Sequence, residues 1–395
     1  MLISLKTSFL QKKLLIILIF FSSCKKVSQY TPHLNTSETP EQIFTHFWTK
    51  MNHNYIFWDQ ENTDWDLIYR KYTPLFRELT DSPEDRKTSA AYFKQLTSTL
   101  IDHHLIITFH DGPLVNSEIN PALERKVNAK DYHERYDYDR VAKLYLDDGY
   151  YTANGRIYNG SELKLTSGKI KNEILYFHCN VFTLKKAFDL DNQSKESRVL
   201  NFFFSALKTQ LNEFKGIILD LRNNSGGDLL DLNFFGGKLI SEDRVFGYSR
   251  SKNGTGKFSY LPWIAAGLKH DVNYNTTIPI IILSDNFSAS LSEIMILALK
   301  SKSSVLIGER TYGATGPLSN PDIFNSGSFD IGNFMSVKTS SAEFRDLAGI
   351  SYEGTGITPD IVIPFNPEEL ALGKDRQLEE AIKYLNMNLK KATIN

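Results

Sequence analysis

The sequence predicts an α/β protein, and three observations carry that reading. Beyond residue 172, apolar runs of strand length alternate with helical stretches. Before residue 110, apolar residues recur at spacings of three and four. The 395 residues are 41% hydrophobic and 12% aromatic, enough to bury the core that such layers need. Strand–helix alternation argues for a largely parallel sheet covered by helices, with sites at the carboxyl ends of its strands. A helical N-terminal domain (41–110), a small β-rich middle segment (111–171), an α/β core (172–365) and a C-terminal helix (366–395) are expected in that order.

The first residues differ in kind from the rest. Lys6, Lys12 and Lys13 precede "LLIILIFF", which has the length and flanks of a secretory signal peptide, residues 1–23, rather than of a membrane span. The "FSSC" that follows resembles the lipobox of bacterial lipoproteins, which implies lipidation of Cys24 after cleavage and a place in the cell envelope, at the bacterial outer membrane. The polar residues 24–40 suit a flexible tether, and a lipid chain would hold the protein to a membrane surface without spanning it. The other cysteine, Cys179, lies in a strand-like run and reads as a buried, inert thiol.

Along the domain itself, Ile43, Phe44, Phe47 and Met51 mark a first helix. Ser82 as cap, Pro83, Glu84 and Asp85 in the first turn, and Phe93, Leu96 and Leu100 on one face mark another, which ends near "LIDHHLIITFHD" where a short strand begins. From 111 to 170 the tyrosine-rich "DYHERYDYDR" and the turn signals "DDG", "ANG" and "YNGS" suggest short strands joined by turns. Then come "EILYFHC", a helix around "SRVLNFFFSALKTQLNEF", "GIILDLR", a helical stretch near "DLLDLNFFGGKLI", "IPIIILS", the helix "ASLSEIMILALK" and "SVLIG".

Three polar, glycine-bearing stretches sit at expected strand ends. After "GIILDLR", Gly226 and Gly227 could aim backbone N–H groups into open space, as an oxyanion requires, or merely serve a tight turn. In "SDNFSASLSEI", Ser290 falls in or beside the first turn of a buried helix, where unpaired N–H groups favour negative charge; Ser288 or Ser290 could equally be a cap. In "YEGTGITPDIVIP", Glu353 precedes two glycines, and a surface turn explains it as well.

Together, "GIILDLRNNSGG", "DNFSASLSEI", "IGERTYGATG" and "YEGTGITPDI" resemble, in order and spacing, the signatures of C-terminal processing peptidases and their tricorn-protease relatives. The likeness extends to "FWTKMNHNYIFWDQENTDWDLIYRKY" and "LTSTLIDHHL", so it covers roughly residues 41–365 with the middle unmatched. It implies a crotonase-like (ClpP-like) serine peptidase core. In the processing branch a lysine activates the serine, but Ala314 stands at that place here. In the tricorn-like branch a histidine from a Leu-x-Asp-Gly-His motif serves instead, and Leu100, Asp102 and His104 match it, with His103 replacing the glycine. The resemblance therefore implies Ser290 as nucleophile, His104 as general base (His103 being the other candidate), Glu353 as orienting acid, and the N–H groups of Gly227 and Leu291 as oxyanion hole. An imidazole suits that task, since a serine hydroxyl is a poor nucleophile until a neighbouring base takes its proton.

Other classes find less support. Lys plus Arg number 45 against 46 for Asp plus Glu, so nothing like the basic surplus of a nucleic-acid binder is present. The nine histidines form no HExxH pair and two cysteines cannot build a thiolate site, so neither metal nor cofactor is expected. Lys300 and Lys302 lie at the far end of the helix that Ser290 begins, roughly 15 Å away at 1.5 Å per residue, too far for proton transfer. The expected partner is a peptide or an unfolded protein substrate. The competing reading is a peptide- or lipid-binding lipoprotein on the same fold, which would have no chemical reason to keep Ser290, His104 and Glu353 together.

Overall fold

The computed structural model describes residues 38–158, 160–318 and 327–392. The expected signal peptide, Cys24 and nearly all of the tether lie outside the described residues. Helices α1 (Pro40–Asn54), α2 (Trp65–Arg77) and α3 (Pro83–Thr97) come first, followed by strands β1 (Ile106–Phe109) and β2 (Glu118–Ile119). Helices α4 (Pro121–Val127) and α5 (Tyr138–Ala142) precede a hairpin of β3 (Tyr151–Tyr158) and β4 (Ser161–Ile170). The core then runs β5 (Ile174–Cys179), α6 (Leu184–Leu190), α7 (Lys195–Thr209), β6 (Gly216–Asp220), β7 (Arg244–Ser251), β8 (Ile264–Leu268), β9 (Ile280–Ser284), α8 (Leu291–Leu299) and β10 (Ser304–Gly308). It closes with β11 (Phe329–Ile331), β12 (Met335–Lys338), β13 (Ala342–Asp346), β14 (Ile361–Val362), α9 (Pro367–Ala371) and α10 (Arg376–Ala392).

The central sheet has seven strands in the order β14-β10-β9-β6-β5-β4-β3, parallel from β14 to β5 and antiparallel beyond. Every residue of β5, β6 and β9 is buried, because helices cover both faces, which is why these strands read as unbroken apolar runs. Ile217, Leu219 and Ile282 pack with α7 and α8 on one face. Ile218, Ile281 and Leu283 meet Leu378, Ala381 and Leu385 of α10 on the other.

Ser82 Oγ accepts from Asp85 N, as the capping pattern of α3 predicts. Phe44, Phe47, Phe76 and Phe93 of the three leading helices form an aromatic core, Phe44 stacking on Phe76 at 4.5 Å between ring centres. That core also takes in Ile107 of β1 and Met335 and Val337 of β12, since β1 pairs antiparallel with β12. The pairing brings the turn before β1 beside residues 339–341.

Two local expectations change. Residues 121–127 and 138–142 are helical rather than extended, because Asn120 and Asp137 cap α4 and α5 through their side chains and Pro121 opens α4. The stretch near "DLLDLNFFGGKLI" is a π turn (Leu232–Gly236) running into a 3-10 turn (Gly237–Leu239), not an α-helix. There Gly237 packs on Lys269 so closely that a Cβ would lie 2.3 Å from its carbonyl oxygen. No helix of the described residues is long and apolar enough to cross a membrane.

Candidate active site

Of the three serines in the turn after β9, two are used inward. Ser288 and Ser292 are fully buried, and their hydroxyls donate to Leu221 O (2.8 Å) and Asn224 O (3.0 Å). Ser290 is the N-cap of α8 and differs from both: its φ of 57° and ψ of −120° place a residue with a Cβ in a region that ordinarily costs about 1–3 kcal/mol. The buried Glu293 carboxylate holds the turn, accepting from Ser290 N (3.1 Å), Ala314 N (2.7 Å), Gly313 N (2.7 Å) and Thr311 Oγ1 (2.5 Å). Burial pushes this carboxyl up to about 7 against the pull of those four donors.

The loop after β6 lies directly on this turn. A Cβ on Gly226 would come within 2.6 Å of Ser290 Cβ and 2.8 Å of Leu291 N, so only glycine fits, and its φ of 90° is one that glycine adopts freely. Gly227 bridges to Phe182, whose N–H donates to Gly226 O and whose carbonyl accepts from Asp228 N, both at 2.7 Å. That bridge uses the groups on either side of Gly227 N. Among the described residues, the N–H groups of Gly227 and Leu291 have no acceptor.

The histidines come from the turn between α3 and β1. Ile101 N donates to Glu61 (2.8 Å) and Asp102 N to Tyr55 Oη (3.2 Å), so the leading helices fix the turn. His103 does not adopt a positive φ, and a histidine in the place of the family's glycine therefore brings no backbone strain. Its ring nitrogen Nδ1 lies 2.8 Å from Tyr312 O, an acceptor only, so Nδ1 carries the proton and Nε2 does not. His104 Nδ1 lies 3.3 Å from Ser340 Oγ, whose proton goes to Asp102 Oδ1 at 2.9 Å, which assigns the same tautomer to His104. Burial lowers both imidazoles, His103 to about 4 and His104 to about 3, so both are neutral at pH 7.

His104, Asp102 and Glu353 converge, each offering a ligand-type atom within 4.8 Å of the others, and they are the only such trio among the described residues. Both carboxylates already have donors. Asp102 accepts from His104 N and Ser340 N, and Glu353 from His103 N (2.8 Å) and Gly316 N (2.7 Å). Burial, then the nearby like charge of Asp102, raises the Glu353 carboxyl, and burial raises Asp102 to about 6. The structure thus brings His104 and Glu353 together, and brings Ser290 together with Gly226, Gly227 and Leu291. The loop 311–316 joins the two groups: Tyr312 N donates to Ser288 O (2.9 Å) while Tyr312 O takes His103. Among the described residues no hydrogen bond links Ser290 Oγ to either ring, as is common before substrate binds.

Four residues were not singled out by the sequence. Glu293 could have been, from the spacing Ser290-x-x-Glu293 of a capping box. Ser340, Tyr312 and Lys126 carry no local signal; Lys126 of α4 reaches the turn from another segment, donating to Asn286 O and to Asn286 Oδ1 (2.8 Å). Ala314 is buried where a lysine would otherwise stand.

The strand ends of a largely parallel sheet thus hold a strained serine beside N–H groups that have no acceptor among the described residues, with a neutral histidine and a buried acid nearby, an arrangement of the crotonase-like fold class. Residues 174–363 match the model of peptidase family S41, and residues 36–84 match that of the tricorn protease C1 domain. The chain is 27% identical over 223 residues to the carboxy-terminal-processing protease of Bartonella bacilliformis, covering 56% of this chain and 45% of that protein. It is 27% identical over 199 residues to the tricorn protease of Thermoplasma volcanium, covering 49% of this chain and 17% of that one. It therefore spans less than half the length of either relative. A solved structure from Parabacteroides merdae, described as that of a peptidase, superposes over 88% of this chain and 97% of its own with a TM-score of 0.67 at 20% identity, a likeness of fold. Over these segments the chain is similar to the C-terminal processing and tricorn-like peptidases.

Proposed function

We propose that this protein is a serine endopeptidase of peptides or unfolded protein segments, held in the cell envelope by a lipid on Cys24. The observation that carries the reading is the strained Ser290 at the start of α8, beside the unpartnered N–H groups of Gly227 and Leu291. In the reaction, Ser290 Oγ attacks the scissile carbonyl carbon while its proton passes to Nε2 of His104, the nitrogen left basic by the tautomer. The two N–H groups receive the carbonyl oxygen as it becomes an oxyanion. The Glu353 carboxylate steadies the imidazolium, which returns the proton to the departing amine, and water, deprotonated by the same ring, then releases the acyl group from Ser290. His103, fixed by Tyr312 O, holds the turn that presents His104 and is a positioning residue.

A fluorophosphonate probe tests this directly. Wild type should be labelled and the label should travel with membranes. Ser290→Ala should lose the label, with peptide cleavage falling by on the order of 10⁴-fold or more, and Cys24→Ser should move it to the soluble fraction. His104→Ala should abolish labelling while His103→Ala only slows it. Labelling that persists in Ser290→Ala rejects the nucleophile, and the reverse pattern for the histidines exchanges their roles.

A further inference from the structure

The turn that carries Ser290 is flanked by two cations, Lys126 and Arg135, that make no ion pair among the described residues. Lys126 Nζ lies 4.7 Å from the centre of the Phe287 ring and Arg135 Cζ lies 4.6 Å from it. Lys126 also stands 4.5 Å from the Tyr312 ring, and Arg135 Nη1 donates to Asn223 O (3.1 Å). The cations thus border both loops that converge at Ser290, the one after β6 through Asn223 and the one after β9 through Asn286 and Phe287. Among the described residues neither makes an ion pair, although other cations of the protein do so readily, Arg222 with Asp220 and Asp375 for example. Burial makes the Lys126 proton easier to lose, down to about 8; the charge of Asp285 opposes this more strongly than the neighbouring Arg135 adds to it, yet no carboxylate among the described residues pairs with Lys126 directly.

Two like charges gathered around one ring repel each other, and an anion placed between them relieves that repulsion. The donors are available. Lys126 spends two N–H bonds on Asn286, and Arg135 has one bond to Asn223 with the rest of its fork unused. Only two residues separate Phe287 from Ser290, so whatever docks here belongs to the same bound peptide.

We propose that Lys126 and Arg135, both beside the Phe287 ring, form a subsite that recognises a carboxylate of the substrate next to the bond cleaved. The inference rests on the peptidase reading. The carboxylate can come from an aspartate or glutamate side chain or from the substrate's own C-terminus.

Cleavage sites in an unfolded protein such as reduced casein, mapped by mass spectrometry, supply a parent peptide. Matched peptides then carry Glu or Gln at the enriched position, and a free or amidated C-terminus. Wild type should favour the carboxylate member of one pair by about tenfold in kcat/KM, mostly through KM, the scale of one charge-assisted hydrogen bond. Preference in the Glu/Gln pair identifies a side chain, and preference in the acid/amide pair identifies the terminus. Lys126→Met and Arg135→Met should each shrink the ratio toward one, and Lys126→Arg should restore it. An unchanged ratio in both Met variants overturns the subsite. So does an equal loss on both members of a pair, which would mark Lys126 as part of the chemistry or of the fold. Fluorophosphonate labelling separates the two levels: labelling and cleavage without preference reject the subsite alone, whereas a protein that neither labels nor cleaves rejects the peptidase reading and the subsite with it.

Discussion

At the scale of single residues, the acid beside His104 is one of two. Asp102 and Glu353 are both buried and both pushed upward by that burial, and the like charge of Asp102 adds to the rise at Glu353. His104, held to about 3, keeps its imidazole neutral throughout the acid range. The acidic limb of kcat/KM should therefore lie near pH 6 and report the carboxyl pair, with activity falling as pH drops. In Asp102→Asn the like charge is gone, Glu353 ionises more easily, and the limb should move to lower pH; a limb that stays in place would assign it to a histidine instead. The same shift has a sign for stability. Asp102 titrates near 3.8 when unfolded and about 6 when folded, so its contribution is fully present below pH 3.8 and is lost as pH rises through about 6.

At the scale of elements, the turn at Ser290 is defined by what lies on it. Gly226→Ala would drive a methyl into Ser290 Cβ and the Ala289–Leu291 backbone. We expect kcat to fall by about 100-fold, since a displacement of about an ångström at a reacting group has that effect, while circular dichroism shows the fold retained. An unaltered kcat would mean that the turn's position does not govern the reaction. The strands β5, β6 and β9 and helices α1, α3 and α8 were legible in the sequence because burial on both faces, caps and apolar spacing are local signals. The helices α4 and α5 were not, although Asn120, Pro121 and Asp137 offered cap chemistry, because tyrosines and turn residues between them read as strand. Ser290, His104 and Glu353 were named by resemblance alone; of these the structure brings His104 and Glu353 together. The pairing of Asp102 with Ser340 and the reach of Lys126 to Asn286 were not, since no local pattern encodes a contact between segments so far apart.

At the scale of the molecule, Arg222 ties three regions together. It is fully buried after β6, bonds to Asp220, Asp375 and Gln377, and lies 4.1 Å from the centre of the Tyr138 ring in α5. Removing it would leave two buried carboxylates without a counter-charge, so Arg222→Met should destabilise the protein by about 3–5 kcal/mol at neutral pH. Asp220 is held below its ordinary range mainly by Arg222 working against burial. Its stabilisation is present above the unfolded pKa of 3.8 and disappears as pH falls. The deficit of the variant, read by denaturant melts, should accordingly narrow toward pH 3; a deficit independent of pH would point to lost packing instead.

The bond from His103 N to Glu353 joins residues 250 positions apart, and that from Ser340 to Asp102 spans 238. Contacts of such long range close late in folding. A chain still emerging from the ribosome would thus expose Ser290 before Glu353 had been synthesised, and the proposed site would stay unassembled until both segments could meet.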